Sequence, residues 1–460
     1  MDETRSTGRR GSRRTRRAWL TAAGCVPLGP ALAACAPAGA PPARASPESG
    51  PPVDLKLWGP PPANAPGATL EQQLAELQQQ HPRLRVTLEP VSTTGTDVTK
   101  AIAVLASGEG PDLFYLGRWL TAQFAAHKTI LPMDKLAARS SRTVPLSDFY
   151  ARFIAESRWR DQLYGIPFVS STRALFYNKA HFQEAGLSVD RPPATWQELD
   201  QAAPRLQQRG PDGQLSRVGY VPGSGNPGTY LTWFIYLWQV GGDLLTPDHK
   251  QVAPELPRLG TQALESMANQ MQRNGGWNAI DALSGSGPLP QGTDVFSAGR
   301  FSTIITQQAV LSTYDRVAGL QYGLAPFPLP PNGKRVNYAA GPNLAIFASS
   351  EQPDTAWQVI EFLEDPPQLI RFNVAGSTMP PRRSAATSKE YLSLHPHFRF
   401  FADEQEHGRW VPVVAGIQDI FFALDETITP AIRGMIAPRD AVQNAIAKVQ
   451  LILKQNEPYL

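Results

Sequence analysis

Beyond residue 35 the chain contains no cysteine. Its two, Cys25 and Cys35, fall near the start, so no disulfide is available to the folded body and packing alone must hold it. Long apolar runs are missing as well. The segment Ala18 to Ala34 is interrupted by Gly24, Pro27, Gly29 and Pro30, and is too short and broken to span a bilayer. Net charge is small. Of the overall +3, residues 1–34 carry +5, seven arginines against Asp2 and Glu3, which leaves the remainder at −2. A body so near neutrality has no electrostatic footprint for nucleic acid. There is no Gly-x-Ser-x-Gly elbow, no Walker lysine motif and no dinucleotide glycine fingerprint. Seven scattered histidines without a cysteine cluster argue against structural zinc. His395-Pro396-His397 with Asp403, Glu404, Glu406 and His407 is the one grouping a metal could use, but Pro396 breaks any helical presentation, so it reads as a solvated face. No metal, cofactor or catalytic residue is expected.

What is present is a globular composition, 42% hydrophobic and 18% charged, over 460 residues, a length that two compact domains best satisfy. Paired arginines, with Thr15-Arg16-Arg17-Ala18-Trp19-Leu20 the closest match, precede the weak apolar run as in a twin-arginine (Tat) export signal over residues 1–34. Leu32-Ala33-Ala34-Cys35 resembles a lipobox, which would leave Cys35 lipidated at a new N-terminus. Residues 35–52, rich in proline and alanine, have little to bury and read as a spacer between lipid and body.

From Val53 the pattern is α/β. Val53, Leu55 and Leu57 alternate with polar residues as a strand opening into Trp58-Gly59. A helix is expected from a Thr69–Gln72 capping box, with Leu70, Leu74 and Leu77 on one face. Leu84, Val86 and Leu88 mark a second strand, Val98, Ile102 and Leu105 a second helix, and Leu113 to Leu116 a third strand. This alternation predicts a parallel sheet, and ligands of such sheets sit at the carboxyl ends of the strands. Trp58 follows the first strand and Gly117-Arg118-Trp119 the third. An indole face can stack on the C–H face of a sugar ring while arginine offers fixed donors. Further on, Thr195 and Glu198 form a capping box, and Tyr230 to Trp238 is an apolar helix that must be largely core, only Tyr230 and Trp233 in its first turn reaching a cleft. Phe301 to Thr306 is a strand emptying into Gln307, whose amide can bond a hydroxyl or carboxylate. The helix near Asp354 carries Ala356, Val359, Ile360 and Leu363 on one face, and Pro366-Pro367 is read as the last crossing between domains.

The stretch Tyr164 to Lys179 reads as a crossing between two lobes: Gly165 and Pro167 punctuate an extended run, a polar Ser170-Ser171-Thr172-Arg173 loop follows, and Ala174 to Tyr177 is strand-like. It resembles the hinge of the family 1 extracellular solute-binding proteins, the sugar-type receptors of ABC importers. Gly110-Pro111-Asp112-Leu113-Phe114-Tyr115, Pro193-Ala194-Thr195-Trp196-Gln197-Glu198-Leu199, Phe296-Ser297-Ala298-Gly299-Arg300-Phe301 and Gly376-Ser377-Thr378-Met379-Pro380 follow in that family's order. The resemblance implies a two-lobed, periplasmic-binding-protein-like (type II) fold with an interlobe cleft. Lobe one is expected from residues 53–166 and 307–366, lobe two from 167–306 and 367–460. It also implies contact residues at Ser171 and Tyr230 and a glycine-containing loop with Gly341 and Asn343. One departure stands out, since family members often place Gly-x-Trp where this chain has Gln307-Gln308-Ala309.

The expected function is capture of a mono- or oligosaccharide by a monomeric, membrane-anchored receptor that delivers it to an ABC permease and ATPase. The missing Gly-x-Trp keeps open a non-sugar solute such as a glycerol phosphodiester, polyamine or peptide. A secreted glycoside-active enzyme is the rival from another class, because carboxylate pairs remote in the chain are not visible as a motif.

Overall fold

The structure, a computed structural model, describes residues 51–91, 110–225 and 228–460. The export segment, Cys35 and the helix marked by Val98, Ile102 and Leu105 lie outside the described residues. The alternating leucines Leu55 and Leu57 bury one face of β1 (Val53–Gly59). α1 (Ala65–Gln80) packs beside it through Leu70, Leu74 and Leu77. Its start lies earlier than the expected Thr69–Gln72 box: Asn64 is the N-cap, accepting from the Gly67 N–H at 2.8 Å, and Pro66 sits in the first turn, where its missing donor costs nothing.

β2 (Leu84–Pro90) and β3 (Leu113–Gly117) run parallel to β1. The other strands of the two larger sheets are β4 (Ile166–Pro167), β5 (Arg173–Asn178), β6 (Thr303–Gln307), β7 (Tyr322–Ala325) and β8 (Pro342–Ile346). They form a five-stranded sheet in the order β2-β1-β3-β8-β4 and a three-stranded sheet in the order β6-β5-β7. The parallel pattern read from the sequence is therefore closed by an antiparallel return strand, β8.

Helices cover the second sheet. α2 (Trp196–Leu206) starts at Thr195, whose hydroxyl accepts from the Glu198 N–H at 3.1 Å, while the Glu198 carboxylate accepts from the Ala194 N–H at 2.7 Å. α3 (Thr229–Gln239) is buried on nearly every side, as its apolar composition requires, and packs on α4 (Leu256–Arg273). α5 (Pro353–Leu363) and α6 (Pro366–Ala375) return to the first sheet and pack on α1. α7 (Ile417–Ile432) and α8 (Pro438–Gln455) complete the layer around α3 and α4.

Two crossings differ from those expected. β7 pairs with β5, so the chain stays in the second sheet past residue 307 and rejoins the first only at β8. Pro366-Pro367 follows the end of α5 at Leu363 and opens α6 on the first-sheet side, proline being well suited to a helix's first turn, so it does not mark the last crossing; the later crossing is at Met379, which pairs with Ser170. The expected spans 307–366 and 367–460 thus do not coincide with the sheets.

Glu364, at the C-terminal end of α5, is fully buried and neither carboxylate oxygen has a hydrogen-bond partner among the described residues. Arg382 donates to its backbone carbonyl at 2.6 Å and spends its Nε on Asp148. Burial pushes the Glu364 carboxyl well above the usual range, so its folded form holds the proton more tightly than the unfolded chain does. Stability from this group is present below the unfolded pKa and lost as pH rises through the folded value. We therefore expect Glu364→Gln to stabilise the protein by about 1–3 kcal/mol at pH 8 and to have little effect near pH 4, measured by urea unfolding at both pH values. Equal effects at both would show that its charge is not what destabilises.

Candidate functional site

The two sheets meet where three chain segments run side by side. Ser171 and Ala340 exchange both backbone hydrogen bonds, at 2.8 and 3.0 Å, and Ser170 and Met379 do the same at 2.8 Å each. The N–H of Phe168 donates to the Pro342 carbonyl at 3.0 Å. Gly341 fits because nothing larger can: a Cβ there would lie 1.9 Å from the Val169 carbonyl oxygen. Arg173, fully buried, donates through Nη1 to the carbonyls of Ser171 and Tyr338 and lies 4.5 Å over the Tyr338 ring. Burial lowers its pKa to about 10, which leaves it charged at neutral pH. Asn337 clasps the Arg173 backbone on both sides, accepting from its N–H at 2.9 Å and donating to its carbonyl at 2.7 Å.

At the carboxyl end of β3 the Arg118 backbone N–H donates to the Gly341 carbonyl at 3.3 Å. Its guanidinium is buried: Nε donates to Glu156 Oε2 at 2.8 Å and Nη1 to the Val169 carbonyl at 3.4 Å, while Nη2 has no hydrogen-bond partner among the described residues. Glu156 takes a second guanidinium on Oε1, from Arg152 at 3.2 Å. Burial raises the Glu156 carboxyl against the opposing pull of Arg118 and Arg152. The hydroxyls of Ser170 and Ser171, next in the chain after Val169, are buried and have no hydrogen-bond partner among the described residues. Unspent donors of this kind are costly unless something accepts from them.

Beside this polar floor lies an aromatic cluster. Trp119, half-buried at the end of β3, packs against both the core around Phe114 and the core around Trp233. Its ring is 5.4 Å from Phe421 on α7, and Phe421 is 5.8 Å from Tyr230 in the first turn of α3. Asp425, one turn beyond Phe421, is close enough to Tyr230 to add to the burial that lifts the phenol to about 12. Phe422, next in the chain, is 60% exposed.

Of the residues expected at a site, Gly117, Arg118, Trp119, Ser171, Tyr230 and Gly341 are gathered here. Trp58 is not: it is buried against Phe114 and Phe347, its indole N–H donating to Glu89 at 2.9 Å. Trp233 is fully buried and donates to the Gly260 carbonyl at 3.0 Å, because helical periodicity turns it a further 300° from Tyr230 into the α3–α4 contact. Asn343 is buried behind the crossing, bonded to Ser157 and Thr121, and serves the scaffold. Gln307 ends β6 paired with Arg173, while the next side chain, Gln308, is buried against Tyr391. Phe421 was missed by the sequence reading; the signal was an aromatic pair at the start of an amphipathic helix just after Gly416.

An aromatic and polar site at the strand ends, between two sheets joined by short crossings, defines a two-lobed solute-binding fold. The sequence model of the bacterial extracellular solute-binding proteins matches residues 61–369, and the chain belongs to that family. Its members act outside the cytoplasm, and no described helix is long and apolar enough to cross a membrane. A solved structure, CpMnBP1 with mannotriose bound, superposes with a TM-score of 0.73 at 24% identity, covering 86% of this chain and 100% of that one. The sugar-binding protein MalE of Xanthomonas citri superposes with a TM-score of 0.74 at 23% identity, covering 88% and 98%. A shorter stretch of 125 residues is 34% identical to the sn-glycerol-3-phosphate-binding periplasmic protein UgpB of Yersinia enterocolitica, 26% of this chain and 27% of that one.

Removing Arg118 leaves the buried Glu156 carboxylate with only the half-exposed Arg152 as counter-charge and its Oε2 without a donor. Arg118→Met should cost about 3–5 kcal/mol at pH 7 by denaturant unfolding, and adding Glu156→Gln should recover a large part of it. Additive losses would mean that the two groups do not depend on each other.

Proposed function

We propose that this protein is the solute-capturing component of an ABC importer and that its solute is a neutral carbohydrate, a mono- or oligosaccharide. The observation that carries the reading is the meeting of Trp119, Phe421 and Tyr230 from both sides of the crossing above a floor of unspent donors. Aromatic faces match the C–H faces of sugar rings, and hydroxyl and guanidinium donors match ring oxygens. Arg118 is neutralised by Glu156, which favours an uncharged ligand over a phosphodiester. Glu156 is itself held by two guanidiniums and is poorly placed to act as a catalytic acid, in keeping with binding without turnover.

In this reading the two sheets are the cores of two lobes, and the paired segments at Ser170, Ala340 and Met379 are the hinge. Contacts to Trp119 from one side and Tyr230 and Phe421 from the other exist together only when the lobes are closed, so ligand shifts the population toward closure, the form a permease would read. Export through the twin-arginine signal and anchoring through Cys35 complete the proposal.

Mannotriose and maltose should raise the melting temperature and change tryptophan fluorescence without products detectable by chromatography. Trp119→Ala, losing stacking and apolar contact, should weaken that binding about tenfold or more in calorimetric titration. Stabilisation by sn-glycerol 3-phosphate alone would replace the sugar assignment, and released product would replace the receptor. For the anchor, Cys35→Ser should move the protein from the membrane fraction to the soluble fraction of an expressing bacterium; unchanged fractionation rules lipidation out.

A further inference from the structure

A cavity of about 1020 Å3 is lined by none of Trp119, Tyr230 and Phe421. One wall comes from the segment Arg152 to Arg160 after β3, another from the loop Gly241 to Glu255 after α3, and the floor from Arg409 to Val414. Tyr459 and Leu460 close one end, held by Trp159, whose indole donates to the Tyr459 carbonyl at 3.2 Å, and by Arg160, which donates to the Pro458 carbonyl at 2.9 Å. The volume is at the upper end of ordinary ligand sites, and Val411, Pro412, Val414 and Leu245 give it an apolar band.

Its unspent bonding capacity is lopsided. Three of the four lining aspartate and glutamate side chains are already served: Glu156 by Arg118 and Arg152, Asp243 by Arg409 at 2.5 Å and the Leu244 N–H at 3.0 Å, and Asp248 by Thr246 at 2.6 Å and the Lys250 N–H at 3.2 Å. Only Glu255 has no donor among the described residues. The donors are under-used. Among the described residues, buried Arg409 Nε and Trp410 Nε1 have no hydrogen-bond partner and the Lys250 ammonium makes no ion pair within 4 Å, while Arg152 engages Glu156 through Nε. Burial lowers the pKa of His249 on the same loop.

We infer that this cavity is a second binding site, separate from the aromatic cluster, for a small organic or inorganic oxyanion, a carboxylate or phosphate group accepting from Arg409, Trp410, Arg152 and Lys250. A charged acceptor takes several such donors at once in charge-assisted bonds, which a neutral hydroxyl cannot. The apolar band would carry a short carbon body, so carboxylate-bearing molecules gain a contact that free phosphate lacks.

The test is calorimetric titration of the whole protein with citrate and, separately, with inorganic phosphate, each against sodium chloride of matched ionic strength. Citrate is expected to bind saturably and more tightly than phosphate. Lys250→Ala and Arg409→Met should each weaken it several-fold, while Trp119→Ala leaves it unchanged. Lys250 is exposed, so that variant does not depend on tolerance of a buried change. Tighter binding of phosphate would assign the site to the anion alone and remove the carbon body. Heat no larger than with chloride, indifference to both variants, or loss of citrate binding in Trp119→Ala would overturn the second site. Sugar binding is read independently in the same Trp119 variant, so the two readings fail separately.

Discussion

The structure depends on how the backbone passes between two sheets within a handful of residues. Ile166 and Pro167 belong to one sheet and Arg173 to Asn178 to the other. The five residues between them must satisfy their backbone groups without a sheet of their own. They do so by pairing with the two other crossing segments, at Ala340 and Met379. Buried backbone donors and acceptors left open here would each cost about as much as a lost hydrogen bond. The three crossings therefore support one another, and Gly341 is the residue that lets them approach so closely.

That constraint places the polar groups. Arg173 is drawn inside because its guanidinium caps carbonyls that the crossing leaves over, and it is tolerated there because Tyr338 offers a ring face and carbonyl oxygens surround it. Arg118 does the same for Val169 from the other sheet, at the cost of bringing Glu156 inside as its counter-charge. Buried ion pairs are weak sources of stability, since desolvation offsets attraction. Their presence here is better explained by position, for each fixes a donor-rich surface exactly where the strand ends open. The aromatic residues then sit where backbone polarity has already been settled, and Trp119 can rest against both cores.

The α/β class, most strand positions and the crossing at Tyr164 to Lys179 were legible because each has a local cause. Alternating leucines, Thr195 with Glu198, and Gly165 and Pro167 act within a few residues. The second sheet's extent was not legible. β7 joins β5 through pairing partners more than a hundred residues apart, and nothing in Tyr322 to Ala325 states which sheet will accept it. Pro366-Pro367 was ambiguous for a different reason: proline ends one helix and opens the next equally well, and only the packing of α6 on α1 decides.

Tryptophan illustrates the same limit at the site. Trp58, Trp119 and Trp233 are equivalent as side chains, and all three lie near a strand end or a helix start. Their fates are set by what lies across from them. Trp58 faces Phe114 and Phe347 and has a carboxylate, Glu89, to take its N–H, so it is sealed as core. Trp233 meets α4 and finds a carbonyl. Trp119 faces Phe421, from a helix almost three hundred residues later, and is left half open. A tryptophan whose indole is satisfied within one core is structural; one that borrows its contacts from two cores is held by their approach and is free to exchange those contacts for a ligand. By that criterion Trp119 is the tryptophan on which the proposed binding rests, and in that reading the later helix that supplies Phe421 sets whether the position is a platform or a plug.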